Sequence, residues 1–210
     1  MIVELPAHPQ YREPSSFAGS DHPMRQLTRA MAFGDPWTPQ DAERVAAVFD
    51  GLAAEWSDRH VDPTKAAPVL DAIERGRPPL DARWIELGSG TGAGTRLLHG
   101  VAREQVSVDL SEQMLAHAPT GLAPKVRADS SQLPFVDDAA DVVLLINMLL
   151  FPIEVDRILR PGGHVVWINT LGDQTPIHLP PADVAAALPG AWTGVASNAG
   201  TGLWAVLRRA

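Results

Sequence analysis

The chain reads as an α/β protein built on a mostly parallel sheet, and three features say so. Short apolar runs alternate with helical patches from Arg83 onward. The first run opens directly into Glu86-Leu87-Gly88-Ser89-Gly90-Thr91-Gly92, with glycine at alternate positions. The last two runs face each other across a short turn. Strand and helix in alternation give parallel strands joined by right-handed crossovers. Two strands joined by a few residues containing Gly form an antiparallel hairpin.

Strands are expected at Arg83–Leu87, Gln105–Asp109, Lys125–Ala128, Asp141–Asn147 and His164–Asn169, with helices near Gly94–Gly100, Glu112–Ala118, Ile153–Arg160 and Ala182–Leu188. Trp192–Ser197, a turn at Asn198–Gly202 and Leu203–Arg208 make the hairpin. Ahead of these, Thr38-Pro39-Gln40-Asp41 signals a helix start, with Thr as N-cap, Pro in the first turn and Asp at the third position. Val45, Val48, Phe49, Leu52 and Trp56 follow at helical spacing as one apolar stripe, expected to enter the core. A second helix runs from Pro63 to Arg75 and stops at Gly76. Residues 1–37, with Pro6, Pro9, Pro14, Pro23 and Pro36, read as an arm with a short helix at Met24–Met31. That arm is available as a lid on a domain spanning 38–210.

Composition narrows the function. The 210 residues suit one domain, and 45% hydrophobic with 20% charged residues is ordinary for a globular protein. The absence of Cys excludes disulfides, thiolate metal sites and a Cys nucleophile. A net charge of −8, with Lys only at Lys65 and Lys125, argues against a nucleic-acid partner. No run approaches the roughly 18 apolar residues of a membrane span. Met1-Ile2-Val3-Glu4-Leu5-Pro6 lacks the basic and apolar regions of a signal peptide. A cytoplasmic protein with no integral membrane segment is the expectation. No pair among the seven histidines has a metal-ligand spacing, so no metal is expected.

The chemistry concentrates at strand ends. In an open α/β sheet, ligands sit outside the carboxyl ends of the strands at a switch point. Three expected strands end in acids, Glu86, Asp109 and Asp129. Side by side, they would bring three carboxylates to one crevice. Alternating glycines remove side chains from the turn, so a ligand can approach the backbone. The acid beside the turn argues against a bare phosphate and for a ligand with a positive charge. Asp109 is suited to a ribose diol and Asp129 to an exocyclic amine such as that of adenine. Gly88-x-Gly90-x-x-Ala93 with Asp109 downstream also satisfies a loose dinucleotide fingerprint.

Glu86–Gly92, Val108-Asp109-Leu110-Ser111-Glu112-Gln113-Met114-Leu115, Ala128-Asp129-Ser130-Ser131-Gln132-Leu133-Pro134-Phe135, Asp141–Ile146 and Arg157-Ile158-Leu159-Arg160-Pro161-Gly162-Gly163 follow one another in order. In this the chain resembles the class I S-adenosylmethionine-dependent methyltransferases, of the small-molecule type that includes ubiquinone and menaquinone biosynthesis enzymes. The resemblance covers about residues 40–208. It implies a Rossmann-like three-layer sandwich whose seven-stranded sheet has an antiparallel last strand, in agreement with the hairpin. It implies S-adenosylmethionine as cofactor, with Gly88, Gly90 and Gly92 along its methionine part, Asp109 on the ribose, and Asp129 with the Ser130 backbone at the adenine. Glu86, Ser89, Leu110 and Met114 join that set, and Asn147 would face the sulfonium and the acceptor.

Two departures stand out. The segment from Asp141 to Glu154 is short, which cuts down the helix after the fourth strand. The loop there, Asn147-Met148-Leu149-Leu150-Phe151-Pro152, is mostly apolar and suits an aromatic or lipid-like acceptor. In this fold the Val45–Trp56 helix can also wall the acceptor pocket. His22 and His60, in or beside the N-terminal segment, are the candidate general bases. His99 and His117 read as helix-surface residues and His164 as a strand residue behind the site.

The expected function is methyl transfer to a small-molecule acceptor at O, N or C, chiefly by alignment for in-line attack. The competing readings are a non-catalytic cofactor-binding scaffold and a nicotinamide-dependent oxidoreductase. Against the latter stand Glu86, the terminal hairpin, and a sole tyrosine, Tyr11, placed in the arm.

Overall fold

The computed structural model describes residues 1–14, 18–60 and 63–210, with side chains for all of these except 18, 20, 57–60 and 63. Among the described residues, eight strands form one sheet. They are β1 (Ile2–Glu4), β2 (Arg83–Leu87), β3 (Glu104–Asp109), β4 (Lys125–Arg127), β5 (Ala140–Ile146), β6 (Leu159–Asn169), β7 (Trp192–Ala199) and β8 (Gly202–Arg209). The helices are α1 (Pro23–Ala32), α2 (Pro39–His60), α3 (Pro63–Gly76), α4 (Ala93–Leu98), α5 (Glu112–His117), α6 (Pro152–Ile158) and α7 (Pro181–Ala187). Across the sheet the order is β1-β7-β8-β6-β5-β2-β3-β4. Only β8 runs antiparallel to its neighbours.

Alternation along the strands makes the two covered faces. Trp84, Val142, Leu144, Val166 and Trp204 turn toward α3 and α4, meeting Val69, Ala72 and Leu98. Ile85, Leu87, Val143, Leu145, Val165 and Trp167 turn the other way, against Val155 and Ile158 of α6 and Val184 of α7. Side chains such as Ile85, Leu144 and Leu145 are fully buried, each contributing about 1.5–3 kcal/mol. The result is the three-layer α/β sandwich that the alternating pattern predicts.

The sheet has eight strands rather than the expected seven. The extra one, Ile2–Glu4, lies in the arm and pairs parallel to β7. Backbone bonds continue the attachment, with the N–H groups of Leu5, His8 and Arg12 donating to the carbonyls of Ala196, Asn198 and Gly200 at 2.8, 2.7 and 2.7 Å. Three residues are too few to show a period, and the pairing relies on main-chain groups that leave no sequence mark. Arg75 adds a side-chain tether, donating to the Pro6 carbonyl at 2.8 Å while paired with Asp71.

The start of α2 follows the expected capping chemistry. Thr38 Oγ1 accepts from the Asp41 N–H at 3.2 Å, and Asp41 Oδ2 accepts in return from the Thr38 N–H at 3.0 Å. These reciprocal bonds satisfy groups that a helix end leaves open. Among the described residues, no helix is long and apolar enough to cross a membrane.

Connection order reverses at β2. From it the chain moves outward through β3 and β4, and then returns to lay β5 and β6 on the opposite side. The carboxyl end of β2 is therefore the switch point, where a crevice opens.

Candidate functional site

The turn that leaves β2 is shaped by its glycines. Gly88, Gly90 and Gly92 take φ of 68°, 53° and 79°, a left-handed region that L side chains rarely adopt. A Cβ at Gly88 would also lie 2.4 Å from Met148 Sδ. The turn is pinned to the neighbouring strand, since the Ser89 N–H donates to the Val108 carbonyl at 2.9 Å.

The three strand-end acids do converge, because β2, β3 and β4 are neighbours. Asp109 Oδ2 accepts from the Gly90 N–H at 2.7 Å, and Oδ1 from the Ser111 N–H at 2.8 Å. One carboxylate thus fixes both the glycine turn and the start of α5. Burial raises its pKa in spite of the Ser111, Gly90 and Leu110 N–H groups. Glu86 is 2% exposed and accepts from the Thr95 hydroxyl at 2.6 Å. Burial pushes its carboxyl up to about 7 against the pull of that hydroxyl, with the Asp109 charge adding to the rise. Asp129 Oδ1 accepts from the Ser131 N–H at 2.8 Å, and Oδ2 from the indole N–H of Trp37 at 2.8 Å.

Glu86, Gly88, Ser89, Gly90, Asp109, Leu110, Met114, Asp129, Ser130 and Asn147 all line one cavity of about 610 Å³, within the usual size of small-molecule sites. Gly92 belongs to the turn but lies behind the wall, as the N-cap of α4 with Pro119 against it. Ser89 Oγ is buried on the wall with no hydrogen-bond partner among the described residues. Asn147 reaches the cavity with its amide engaged elsewhere. Its Nδ2 donates to Thr170 Oγ1 at 2.8 Å, and its Oδ1 accepts from the Thr170 N–H at 2.9 Å. Ser111 caps α5, its Oγ accepting from the Met114 N–H at 3.0 Å.

The apolar stripe of α2 is cavity wall rather than core. Val45, Phe49 and Trp56 line the space, with Phe49 and Trp56 edge to face at 5.5 Å, while Val48 is exposed. The residue buried from that stretch is Ala53. A stripe records only which helix face is apolar, and an apolar pocket covers such a face as well as a core does. Asp50 holds α2 in place, its Oδ1 accepting from Ser111 Oγ at 2.5 Å and from the Gln113 N–H at 3.1 Å.

His22 lies away from the cavity, exposed, as N-cap of α1 with its Nδ1 accepting from the Met24 N–H at 3.1 Å. His60 ends α2, and its side chain lies outside the described residues. His99 and His117 are exposed on their helix ends and His164 lies within β6, as expected.

Three further residues at or beside the cavity lie outside the sequence motifs. Trp37 bonds Asp129 and packs edge-on against Phe151 at 5.3 Å. Its place just before the Thr38 cap, where apolar residues often clamp a helix entry, was the signal available. Lys65, from α3, lines the wall beside Ala66 and Val69 of the same helix. Thr95, one turn into α4, meets Glu86 through a contact that only the fold creates.

Residues 85–167 match a family model described as a methyltransferase domain. A demethylmenaquinone methyltransferase of Mycolicibacterium paratuberculosis is 32% identical over 139 residues, 58% of this chain and 57% of that protein. The biotin biosynthesis bifunctional protein BioHC of Cellvibrio japonicus is 30% identical over 154 residues, 68% of this chain and 30% of its own. The chain spans about three fifths of the length of the demethylmenaquinone methyltransferases it matches. Among solved structures, the DhpI–SAH complex is similar with a TM-score of 0.63 at 21% identity, covering 80% of this chain and 96% of that one.

Proposed function

We propose that the chain is a class I S-adenosylmethionine-dependent methyltransferase, a reading supported by the methyltransferase domain matched at residues 85–167 and by the fold, and that it methylates a small, aromatic or lipid-like acceptor. The observation that carries this is the meeting of Glu86, Asp109 and Asp129 around one glycine turn on a single cavity.

The residues fit the cofactor. Glycines at Gly88 and Gly90 leave backbone bare at the switch point, and Ser89 Oγ, unpartnered among the described residues, offers a hydrogen bond there. Asp109 presents acceptor positions for ribose hydroxyls, Asp129 for the adenine amine, and buried Glu86 supplies negative charge for an ammonium tail. When bound, S-adenosylmethionine supplies an activated methyl group on a positively charged sulfur.

This chain's residues then have three tasks. They hold the two reactants in line, exclude water and leave the acceptor atom accessible. Phe49, Met148, Leu149, Phe151 and Ile177 give the far wall an apolar character. The later part of the arm, from α1 to Trp37, serves as the lid, since Met24 and Trp37 both face the cavity, while its first residues are fixed at the sheet edge through β1. Relatives named for demethylmenaquinone and for biotin biosynthesis point to different acceptors, so the wall chemistry guides the choice. His22 caps a helix and is not assigned as base; an acceptor that is already nucleophilic needs none. A cytoplasmic location belongs to the same proposal.

Calorimetry with S-adenosylmethionine, S-adenosylhomocysteine and NADH tests the reading, followed by labelled methyl transfer across an aromatic and lipid acceptor panel. Binding of the two sulfur ligands and not of NADH is expected. No binding of either sulfur ligand sinks the proposal. Binding without transfer to any acceptor favours a scaffold.

A further inference from the structure

Among the described residues, the Thr95 hydroxyl and the Gln105 amide, rather than a cation, hold Glu86. Thr95, 3% exposed on α4, places Oγ1 2.6 Å from Glu86 Oε2 and 2.9 Å from Ser107 Oγ. Ser107 is the β3 residue in register with Glu86 on β2, so sheet pairing sets the spacing. Gln105, two residues earlier on the same strand face, approaches Oε2 with its amide nitrogen at 3.4 Å. The charged groups nearby come from three other elements. Asp109 faces Glu86 from the end of β3, and Lys65 of α3 and Arg96 of α4 line the same cavity. Arg96 itself donates to the Thr91 carbonyl at 2.8 Å.

A hydroxyl has one proton to give and two lone pairs to receive with. While Glu86 is ionised, Thr95 must donate to it, and Ser107 donates to Thr95. When Glu86 takes a proton the relay can reverse, with the carboxyl donating to Thr95 and Thr95 to Ser107. The two directions are unequal, because a hydrogen bond to a charged acceptor is about twice as strong as a neutral one. The relay therefore opposes burial and favours the carboxylate.

We propose that Thr95, backed by Ser107, is a positioning residue that keeps Glu86 ionised and so sets the pH range in which the site takes a cationic ligand. This rests on the cofactor reading above, in which that cation is the ammonium of the methionine tail. A valine at position 95 fills similar space without a donor and leaves only the Gln105 amide to hold the carboxylate against burial and the Asp109 charge.

The test is calorimetric affinity between pH 5.5 and 8.5 for two probes. S-adenosylhomocysteine carries the ammonium; 5′-methylthioadenosine has the same adenosine and thioether without it. In the wild-type protein, affinity for the first is expected to fall as pH drops through about 7, and affinity for the second to stay flat. Thr95→Val should raise the midpoint by about one pH unit or more, weaken S-adenosylhomocysteine roughly fivefold at pH 7, and recover most of the loss at pH 8.5. Thr95→Ser should restore the wild-type profile. Ser107→Ala, the milder variant, should move the midpoint the same way by less. An unmoved midpoint in both Thr95→Val and Ser107→Ala, or a loss equal at every pH and for both probes, overturns the proposal while leaving cofactor binding intact. Wild-type protein that binds neither probe overturns the cofactor reading, and this proposal with it.

Discussion

Asn147 and Thr170 clasp each other through two reciprocal hydrogen bonds, side chain to side chain at 2.8 Å and backbone N–H to side chain at 2.9 Å. The clasp joins the end of β5 to the end of β6 and holds Asn147 at φ 49°. Asn tolerates that region better than most residues. Asn147→Ala should therefore cost about 2–4 kcal/mol, from two hydrogen bonds and left-handed strain together. Asn147→Gly, free of the strain, should cost about 1 kcal/mol less. Urea unfolding of the two variants measures both figures. If the clasp is Asn147's main task, Asn147→Gly should change affinity for S-adenosylhomocysteine by under about 1 kcal/mol.

Asp109 has a double duty, as the acceptor that shapes the glycine turn and as a wall of the cavity. Asp109→Ala should weaken S-adenosylhomocysteine by about 1.5–3 kcal/mol, the range for charged hydrogen bonds. Asp109→Asn keeps the shape but has one oxygen for two backbone donors, Gly90 and Ser111, which lie on opposite carboxylate oxygens. It should therefore also lose stability, visible as a lower melting temperature. Unchanged affinity in both variants would mean the ribose is held elsewhere.

Among the groups that set stability against pH, Glu86 and His178 pull in opposite directions. The Glu86 carboxyl is raised to about 7 when folded, so ionising it costs the fold, and stability falls as pH rises from the ordinary carboxylate range to 7. His178 is buried, its Nδ1 2.9 Å from Asn169 Oδ1, and burial with the nearby Arg25 charge lowers it to about 4. Its contribution is present above the unfolded value near 6.5 and is lost as pH falls toward 4. Between about pH 4.5 and 6.5 the two slopes oppose each other. The wild-type urea-unfolding profile should lie between those of two variants over that window. Glu86→Gln should make stability rise with pH there, and His178→Gln should make it fall. Parallel profiles for all three proteins would refute the pairing.

The sequence carried the parts of this molecule that repeat or punctuate. Strand β2 and the glycine turn were legible because an apolar run, an acid and three glycines lie within ten residues. The hairpin β7–β8 and the Thr38 cap were legible for the same local reason. What sequence could not carry is what folding brings together across distance. Ile2–Glu4 joins the sheet through backbone groups alone. Trp37 meets Asp129 across 92 positions. Asn147 was expected at the reacting sulfur, yet its amide is turned to Thr170, 23 positions away. The α2 stripe marks an apolar face, but the partner of an apolar face is not written in its period.

Gly94 offers the sharpest test of how tightly the acid is packed. It is the second residue of α4, where Ala would gain up to about 1 kcal/mol in helix propensity. A Cβ there, however, would lie 2.2 Å from Glu86 Oε1 and 2.7 Å from Ile146 Cδ1. Glu86 has little freedom to retreat, since Thr95 holds its other oxygen. The clash should outweigh the propensity gain, so Gly94→Ala should lower the melting temperature and displace the carboxylate. Affinity for S-adenosylhomocysteine should fall by at least about tenfold, or 1.4 kcal/mol. 5′-methylthioadenosine, which has no ammonium to meet Glu86, should lose much less. Adding Glu86→Asp shortens the colliding side chain by one methylene and should recover stability without recovering affinity, which separates the steric cause from the electrostatic one. Full affinity and an unchanged melting temperature in Gly94→Ala would show that the pocket yields at this point, and that Glu86 is not fixed by its neighbours.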